Sequence, residues 1–234
     1  MLAYYYYDPT YPLVIIAAIV ALIAQLKVNS TFKKYSKVAA LKGMTGAQVC
    51  DMLLKGQGIY DVSILKVGGN LTDHYDPFNK ELKLSDDVYD STSVAAIGVA
   101  AHECGHAIQH AEGYLFLTIR SSIVPVVNIA SYASWIMILL GLWFSGDTGD
   151  ALLNFGIMAF VAVVAFHLIT LPVELNASRR ALRLLGDTQI LYKDELKQTK
   201  KVLSAAAMTY VAALATAVIQ LLRLVIIAGG RSRD

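Results

Sequence analysis

Apolar positions along this chain fall into two kinds of pattern. Four stretches, residues 12–28, 123–145, 151–173 and 202–228, are almost continuously apolar. Each is close to the ~20 residues that a helix needs to cross a bilayer core. The first is short, and the preceding YYYYDPTY segment extends it as an aromatic belt at the membrane interface. GDTGD, residues 146–150, reads as the tight turn between the second and third stretches. Between the first and second stretches the pattern breaks into short periods. Thr45 and Gln48 have capping-box spacing and open a short helix that ends at Gly56. IYDVSILKV (59–67) is rich in β-formers and GGN (68–70) is a turn. LTDHY (71–75) and ELKLS (81–85) alternate around DPFNK as a hairpin. YDSTS (89–93) supplies N-cap residues for a helix from about Thr92 to Glu112, closed by Gly113.

Composition fits that pattern. Of 234 residues, 56% are hydrophobic and 16% charged, with a mean hydropathy of +0.52. The fold class expected is therefore mainly α: a polytopic membrane protein with about four transmembrane helices and a small α+β region outside the bilayer. Its parts are residues 1–28, with the first span; 29–118, with the hairpin and the helix that follows it; 119–173, a transmembrane hairpin; 174–201, an extramembrane helix; and 202–234, the last span and tail. The polar region is small for an independent core, so it is expected to lean on the spans and on 174–201. No basic n-region precedes the first span, so no cleaved signal peptide is read.

Charge sets an expected orientation. Lys27, Lys33, Lys34 and Lys37 follow the first span, and Arg179, Arg180, Arg183, Lys193, Lys197, Lys200 and Lys201 lie between the third and fourth. The N-terminal segment before the first span and GDTGD carry no Lys or Arg. The positive-inside rule then puts 29–118 and 174–201 in the cytoplasm. Arg223, Arg231 and Arg233 pull weakly the other way. A net charge of +2, with no basic block interleaved with aromatics, gives no footprint for nucleic acid. Cys50 and Cys104 lack a C-x-x-C spacing, which argues against a disulfide framework.

The candidate chemistry sits in VAAHECGHAIQH, residues 99–110. HECGH is an H-E-x-x-H motif on an expected helix. With His102 at 0°, His106 falls near 40° and Glu103 near 100°, at about 100° per residue. Two imidazoles one turn apart reach a single zinc ion, and Glu103 stands beside them, where it reaches a water and not the metal. Cys104, near 200° on the same count of about 100° per residue, faces away and reads as core. His110 shares the face but lies ~12 Å along the axis from His102, too far to join the same ion, so it reads as supporting or structural.

A third protein ligand must come from elsewhere. The metzincin spacing fails, because Gln109 and Glu112 stand where it requires Gly and His. The remaining candidates are Asp73, His74, Glu112, His167 and Glu174. Glu174 shares its helix face with Ala177, Ser178, Ala181 and Leu185, small residues among them that let a second helix approach, while Arg179, Arg180 and Arg183 lie opposite and suit lipid headgroups or solvent. The competing reading has Glu174 favour the helix dipole at a helix start. His167, inside a span, is a functional candidate by position, with a hydrogen bond to another span as the plainer role.

LTDHYDPFNKELKLS, VAAHECGHAIQH and PVELNASRRAL together resemble the neutral zinc metallopeptidase family of prokaryotic membranes. The last segment is similar to the glutamate motif of integral-membrane gluzincins such as prenyl-protein endopeptidases. The resemblance covers nearly the whole chain. Cys104 departs from it, since a small aliphatic residue is commoner there. The resemblance implies one zinc ion held by His102, His106 and Glu174, with Glu103 as general base in peptide-bond hydrolysis. It also implies that a strand edge, ELKLS or LTDHY, binds the substrate backbone. His74 then becomes a candidate oxyanion donor, against a reading in which DHYD only builds the turn. The alternation of the strand turns Tyr75 to the other face.

The expected activity is an endopeptidase at the cytoplasmic membrane surface, acting on peptides or membrane proteins, with the bilayer as its other partner. A regulatory membrane partner or an oligomer is left open. The alternative is a catalytically silent, metal-stabilised scaffold. A metal transporter would want ligands inside the spans, where only His167 lies.

Overall fold

The computed structural model describes residues 10–231. Its elements run α1 (Tyr11–Tyr35), α2 (Gly46–Gly56), β1 (Ser63–Val67), β2 (His74–Asp76), β3 (Glu81–Ser85), α3 (Asp86–Tyr89), α4 (Val94–Ala111), α5 (Leu115–Trp143), α6 (Gly146–Asp187) and α7 (Lys193–Arg231). The architecture is mainly α, as the apolar pattern predicts. Four helices, α1, α5, α6 and α7, are long and apolar enough to cross a membrane. The aromatic belt expected before α1 lies outside the described residues except for Thr10 and Tyr11, as does Arg233.

All four long helices outrun the apolar stretches that mark them, α6 and α7 by the most. α6 carries the third span straight through Pro172 into the polar segment, 42 residues in one helix. Proline removes one backbone donor, a loss that packed neighbours tolerate. α7 likewise starts at Lys193, before the fourth apolar stretch, and runs for 39 residues. The turn expected at GDTGD is shorter and earlier. Only residues 144–145 separate α5 from α6, and Gly146, with φ +74°, opens α6. α5 starts at Leu115, directly after Gly113 (φ +65°) closes α4.

The chain divides into two compact units. One holds Ala24–Ser121 and Ile169–Tyr210. Its sheet has the order β1-β3-β2, so the hairpin is present and β3 is the central strand. β2 pairs antiparallel with β3, placing Tyr75 opposite Leu82, and β1 adds on the far side in parallel. Leu82 and Leu84 of β3 are fully buried with Val49, Leu53, Val94, Ile97 and Ala101. Each such leucine is worth about 1.5–3 kcal/mol of burial. α2 has the expected capping box, Thr45 with Gln48, and α4 is capped by Ser93, whose hydroxyl accepts from the Ala96 N–H. Cys50 on α2 donates to the Ala100 carbonyl on α4, and both cysteines are buried free thiols. Glu195 at the start of α7 accepts from the Tyr192 and Leu41 N–H groups, which ties the loop after α1 to α7.

The close approach of α4 to its neighbours depends on glycine. A Cβ at Gly105 would stand 2.7 Å from the Ala177 carbonyl oxygen on α6, and one at Gly98 would stand 2.6 Å from Thr199 Cγ2 on α7. The sequence H-E-C-G-H therefore does more than place two histidines. Its glycine lets the backbone of α6 reach the helix that carries them.

The other unit gathers the described residues up to Ile23, Ser122–Leu168 and those from Val211 on. Ile138, Leu153, Phe160, Val164, Ala217 and Leu224 form its core. α5 and α6 touch backbone to backbone at Gly141 and Gly156, and Ser134 Oγ donates to the Gly156 carbonyl at 2.8 Å. Small residues and hydroxyls at such contacts are the usual means of joining helices in lipid, where apolar burial gives no drive. Ile129, Tyr132, Leu139, Met158 and Val161 are exposed, as lipid-facing side chains should be. Arg223 donates to Thr10 Oγ1 at the start of α1.

Candidate metal centre

His102 and His106 lie one turn apart on α4, with ring centroids 4.8 Å apart and the planes nearly perpendicular. Glu174 comes from α6, buried to 2% exposure. Its Oε2 lies 3.2 Å from His102 Nε2 and 3.5 Å from His106 Nε2. One donor atom from each of the three residues falls within 4.8 Å of the others. Among the described residues this is the group of three or more His, Cys, Asp or Glu donors close enough to hold an ion.

The outer atoms of both rings are fixed. His106 Nδ1 meets Gln109 Oε1 at 3.0 Å, and Gln109 Nε2 donates to the Val173 carbonyl and to Asn176 Oδ1, both at 2.9 Å. With both amide hydrogens used on α6, the Gln109 oxygen must accept, so His106 Nδ1 donates. In a neutral ring Nε2 then keeps its lone pair, turned toward Glu174. His102 Nδ1 meets Ser178 Oγ at 3.0 Å, one turn beyond Glu174. Partners that fix the tautomer and ring plane of a histidine are the usual outer layer of a metal site. The donor set of two imidazole nitrogens and one carboxylate is one that zinc takes. These residues therefore fit a zinc ion by chemistry as well as by spacing.

Glu103 is buried beside this group. Burial, opposed by the His102 charge and aided by Glu174 and Asp73, pushes its carboxyl up to about 7. The backbone N–H of Tyr75 donates to it. β2 is an edge strand of the sheet, as is β1 on the far side, so Tyr75 is an edge residue, and its main-chain N–H faces Glu103. The Tyr75 hydroxyl reaches His110 Nδ1 at 2.8 Å. His110 thus pins the edge strand to α4 at its far end.

The structure places His74 apart from this group. Its side chain is exposed, and its Nδ1 bonds to the Thr72 carbonyl at 2.8 Å. Because side chains alternate along a strand, Tyr75 takes the face toward α4 and His74 takes the other. ELKLS is likewise paired on both sides and offers no free edge. The other candidate ligands have partners of their own. Asp73 accepts from the Ser85 N–H and hydroxyl. Glu112 pairs with Arg180 at 2.7 Å. His167 stacks edge-on against Phe166. Arg180 is not a headgroup contact, since its Nε also donates to Asn176 at 2.7 Å, whereas Arg179 and Arg183 are exposed as expected.

Two groups at the centre escape a reading of the sequence. Arg120 on α5 brings NH1 to 3.5 Å from Glu174 Oε1, and its buried Nε has no hydrogen-bond partner. The Tyr210 hydroxyl on α7 hydrogen-bonds Glu174. The available signal was weak: each is a polar residue near the end of a long apolar stretch, with no motif around it.

Four helices long and apolar enough to cross a membrane, and a largely buried two-histidine, one-carboxylate cluster with a glutamate beside it, are the features of a membrane protein with a candidate metal centre. The chain belongs to the neutral zinc metallopeptidase family, matching over residues 10–229 the family described as "Putative neutral zinc metallopeptidase". It is similar to the "Putative membrane protease YugP" of Bacillus subtilis (strain 168), 47% identical over 204 residues, which is 87% of this chain and 89% of that protein. No solved structure matches the chain.

Proposed function

We propose that this protein is an integral-membrane zinc endopeptidase of gluzincin type, cleaving peptides or membrane proteins at the cytoplasmic face of the bilayer. The observation that carries this reading is the cluster of His102, His106 and Glu174, with both rings held at Nδ1 and turned inward at Nε2. These three residues would hold one ion. When bound, zinc supplies Lewis acidity, which acidifies water and polarises the scissile carbonyl.

The remaining work falls to the chain's own residues. Glu103 takes a proton from the attacking water and later gives it to the leaving amine nitrogen. Its raised pKa suits both halves of that transfer. The free edge of β2 aligns the substrate backbone by strand addition, next to Glu103. With His74 facing away, Tyr210 and Arg120 are the donors at the cluster, and Tyr210 carries the oxyanion role. Tyr210→Phe is expected to lower kcat by about 10- to 1,000-fold at full zinc content, a loss typical of one oxyanion donor. His74→Ala is expected to leave kcat unchanged. Kinetics on metal-matched samples decide this, and the reverse ranking of the two variants returns the role to His74.

The sidedness rests on the lysines and arginines that flank the spans. Ser36 and Thr148 are both exposed, near the two ends of the expected cytoplasmic and external segments. In a background with Cys50 and Cys104 replaced, cysteine at Ser36 should react with an impermeant reagent only after the membrane is opened, and cysteine at Thr148 from outside intact cells. Labelling of position 36 from outside overturns the cytoplasmic assignment.

A further inference from the structure

Lys27, Ser30, Thr31 and Lys34 are spaced i, i+3, i+4 and i+7 on α1, so they form one stripe along its face. Lys197, Lys200, Lys201, Ser204 and Met208 form a matching stripe on α7. The two stripes face each other across a cleft of about 880 Å³ that lies wholly within the unit holding the metal centre. Five lysines line it and no carboxylate does. Asp194 offsets Lys197 at 2.9 Å, but Lys27, Lys34, Lys200 and Lys201 have no ion-pair partner among the described residues. The inner wall is apolar: Tyr35 and Ala205 are buried at its base and Met208 closes one end.

Like charges brought together on two helices repel, and an anion between them relieves that repulsion. The position says which anion. Residues 12–26 of α1 and 202–222 of α7 contain no charged side chain, so the lysine stripes begin where the apolar spans end. That is the level of lipid headgroups. A basic pocket between helices at this level is the kind of site that binds an acidic headgroup.

We propose that this cleft is a binding site for an anionic phospholipid, whose phosphate is taken by Lys27, Lys34, Lys200 and Lys201. The site is separate from the metal centre and stands whether or not the protein cleaves peptides. Ala205 and Met208, on the bilayer side of the α7 lysines, receive the glycerol end of the lipid.

The test is native mass spectrometry of the full chain in detergent, titrated with dioleoylphosphatidylglycerol or with dioleoylphosphatidylcholine. The wild type should retain the anionic lipid over the zwitterionic one by on the order of tenfold or more, from a contribution that is appreciable for each lysine near a headgroup. Joint replacement of Lys27, Lys34, Lys200 and Lys201 by Gln should erase that preference. Replacement of the same four by Arg should keep it, which guards against a mere folding defect. Replacement of Lys37, Lys42, Lys55 and Lys193 by Gln removes equal charge elsewhere and should also keep it. Equal retention of the two lipids by the wild type overturns the proposal, and so does equal loss in both Gln variants. Displacement of the lipid by millimolar inorganic phosphate at fixed ionic strength would mean a general oxyanion site, and would overturn the lipid assignment too.

Discussion

Glu103→Gln should bind zinc as the wild type does, keep its fold, and lose peptide cleavage by about 10²- to 10⁴-fold, the range of a lost general base, or more because one group serves as both base and acid. Glutamine fills nearly the same space and can still accept from the Tyr75 N–H that meets Glu103 in the structure. It cannot take a proton from water. Zinc content should hardly change, because Glu103 stands outside the set formed by His102, His106 and Glu174. The pH profile gives a second readout. Glu103 works as a carboxylate, so kcat/KM should fall as pH drops through its pKa. Burial raises that pKa to about 7 without a metal. A cation beside it favours the charged form, so the acid limb should lie below 7 in the zinc-loaded enzyme. Cleavage by the variant equal to that of the wild type would remove Glu103 from the mechanism. A zinc-loaded wild type that cleaves none of a wide range of membrane-protein substrates would favour a metal-stabilised scaffold, which needs the ligands but not the base.

Glu174→Ala should cost most in metal affinity. The carboxylate is buried between the two imidazoles, and its loss leaves Arg120 and the Tyr210 hydroxyl facing an empty position. Removing an outer partner of a metal ligand costs about 10- to 100-fold in affinity. Loss of a ligand should exceed that, so Glu174→Ala should bind zinc more than about 100-fold less tightly, while Ser178→Ala stays within the outer-partner range. Competition with a chelator of known affinity measures both, with circular dichroism to confirm that the helices persist. Full zinc with unchanged affinity in Glu174→Ala would sink the third-ligand assignment. His74→Ala should leave affinity unchanged, since its exposed ring is bonded to the Thr72 carbonyl and is not one of the three clustered donors.

Much of this protein is set by local pattern. Uninterrupted apolar stretches leave the chain no stable choice but membrane helices, because the backbone must satisfy its own hydrogen bonds in lipid. Caps such as Thr45 with Gln48 and Ser93 stop and start helices through contacts three residues away. The helical repeat alone puts His102 and His106 on one face and Glu103 beside them. Glu174 was one carboxylate among several in the sequence. Its small-residue face was the only local hint of a partner helix.

What the sequence by itself determined, then, is everything with a period or a cap: the spans, the hairpin, the helix of the H-E-x-x-H motif and the relative angles of its side chains. What only the tertiary structure decided is which distant groups meet there. Gly105 lets α6 close on α4 and bring Glu174 to both rings. The pairing of β2 with β3 turns Tyr75 inward and His74 out. Ser178, Arg120 and Tyr210 come from three different helices, and no spacing along the chain records that they meet the cluster. The reason is physical: periodicity fixes where a side chain points around its own helix, whereas contact between helices depends on close packing at single small residues, which carry no pattern.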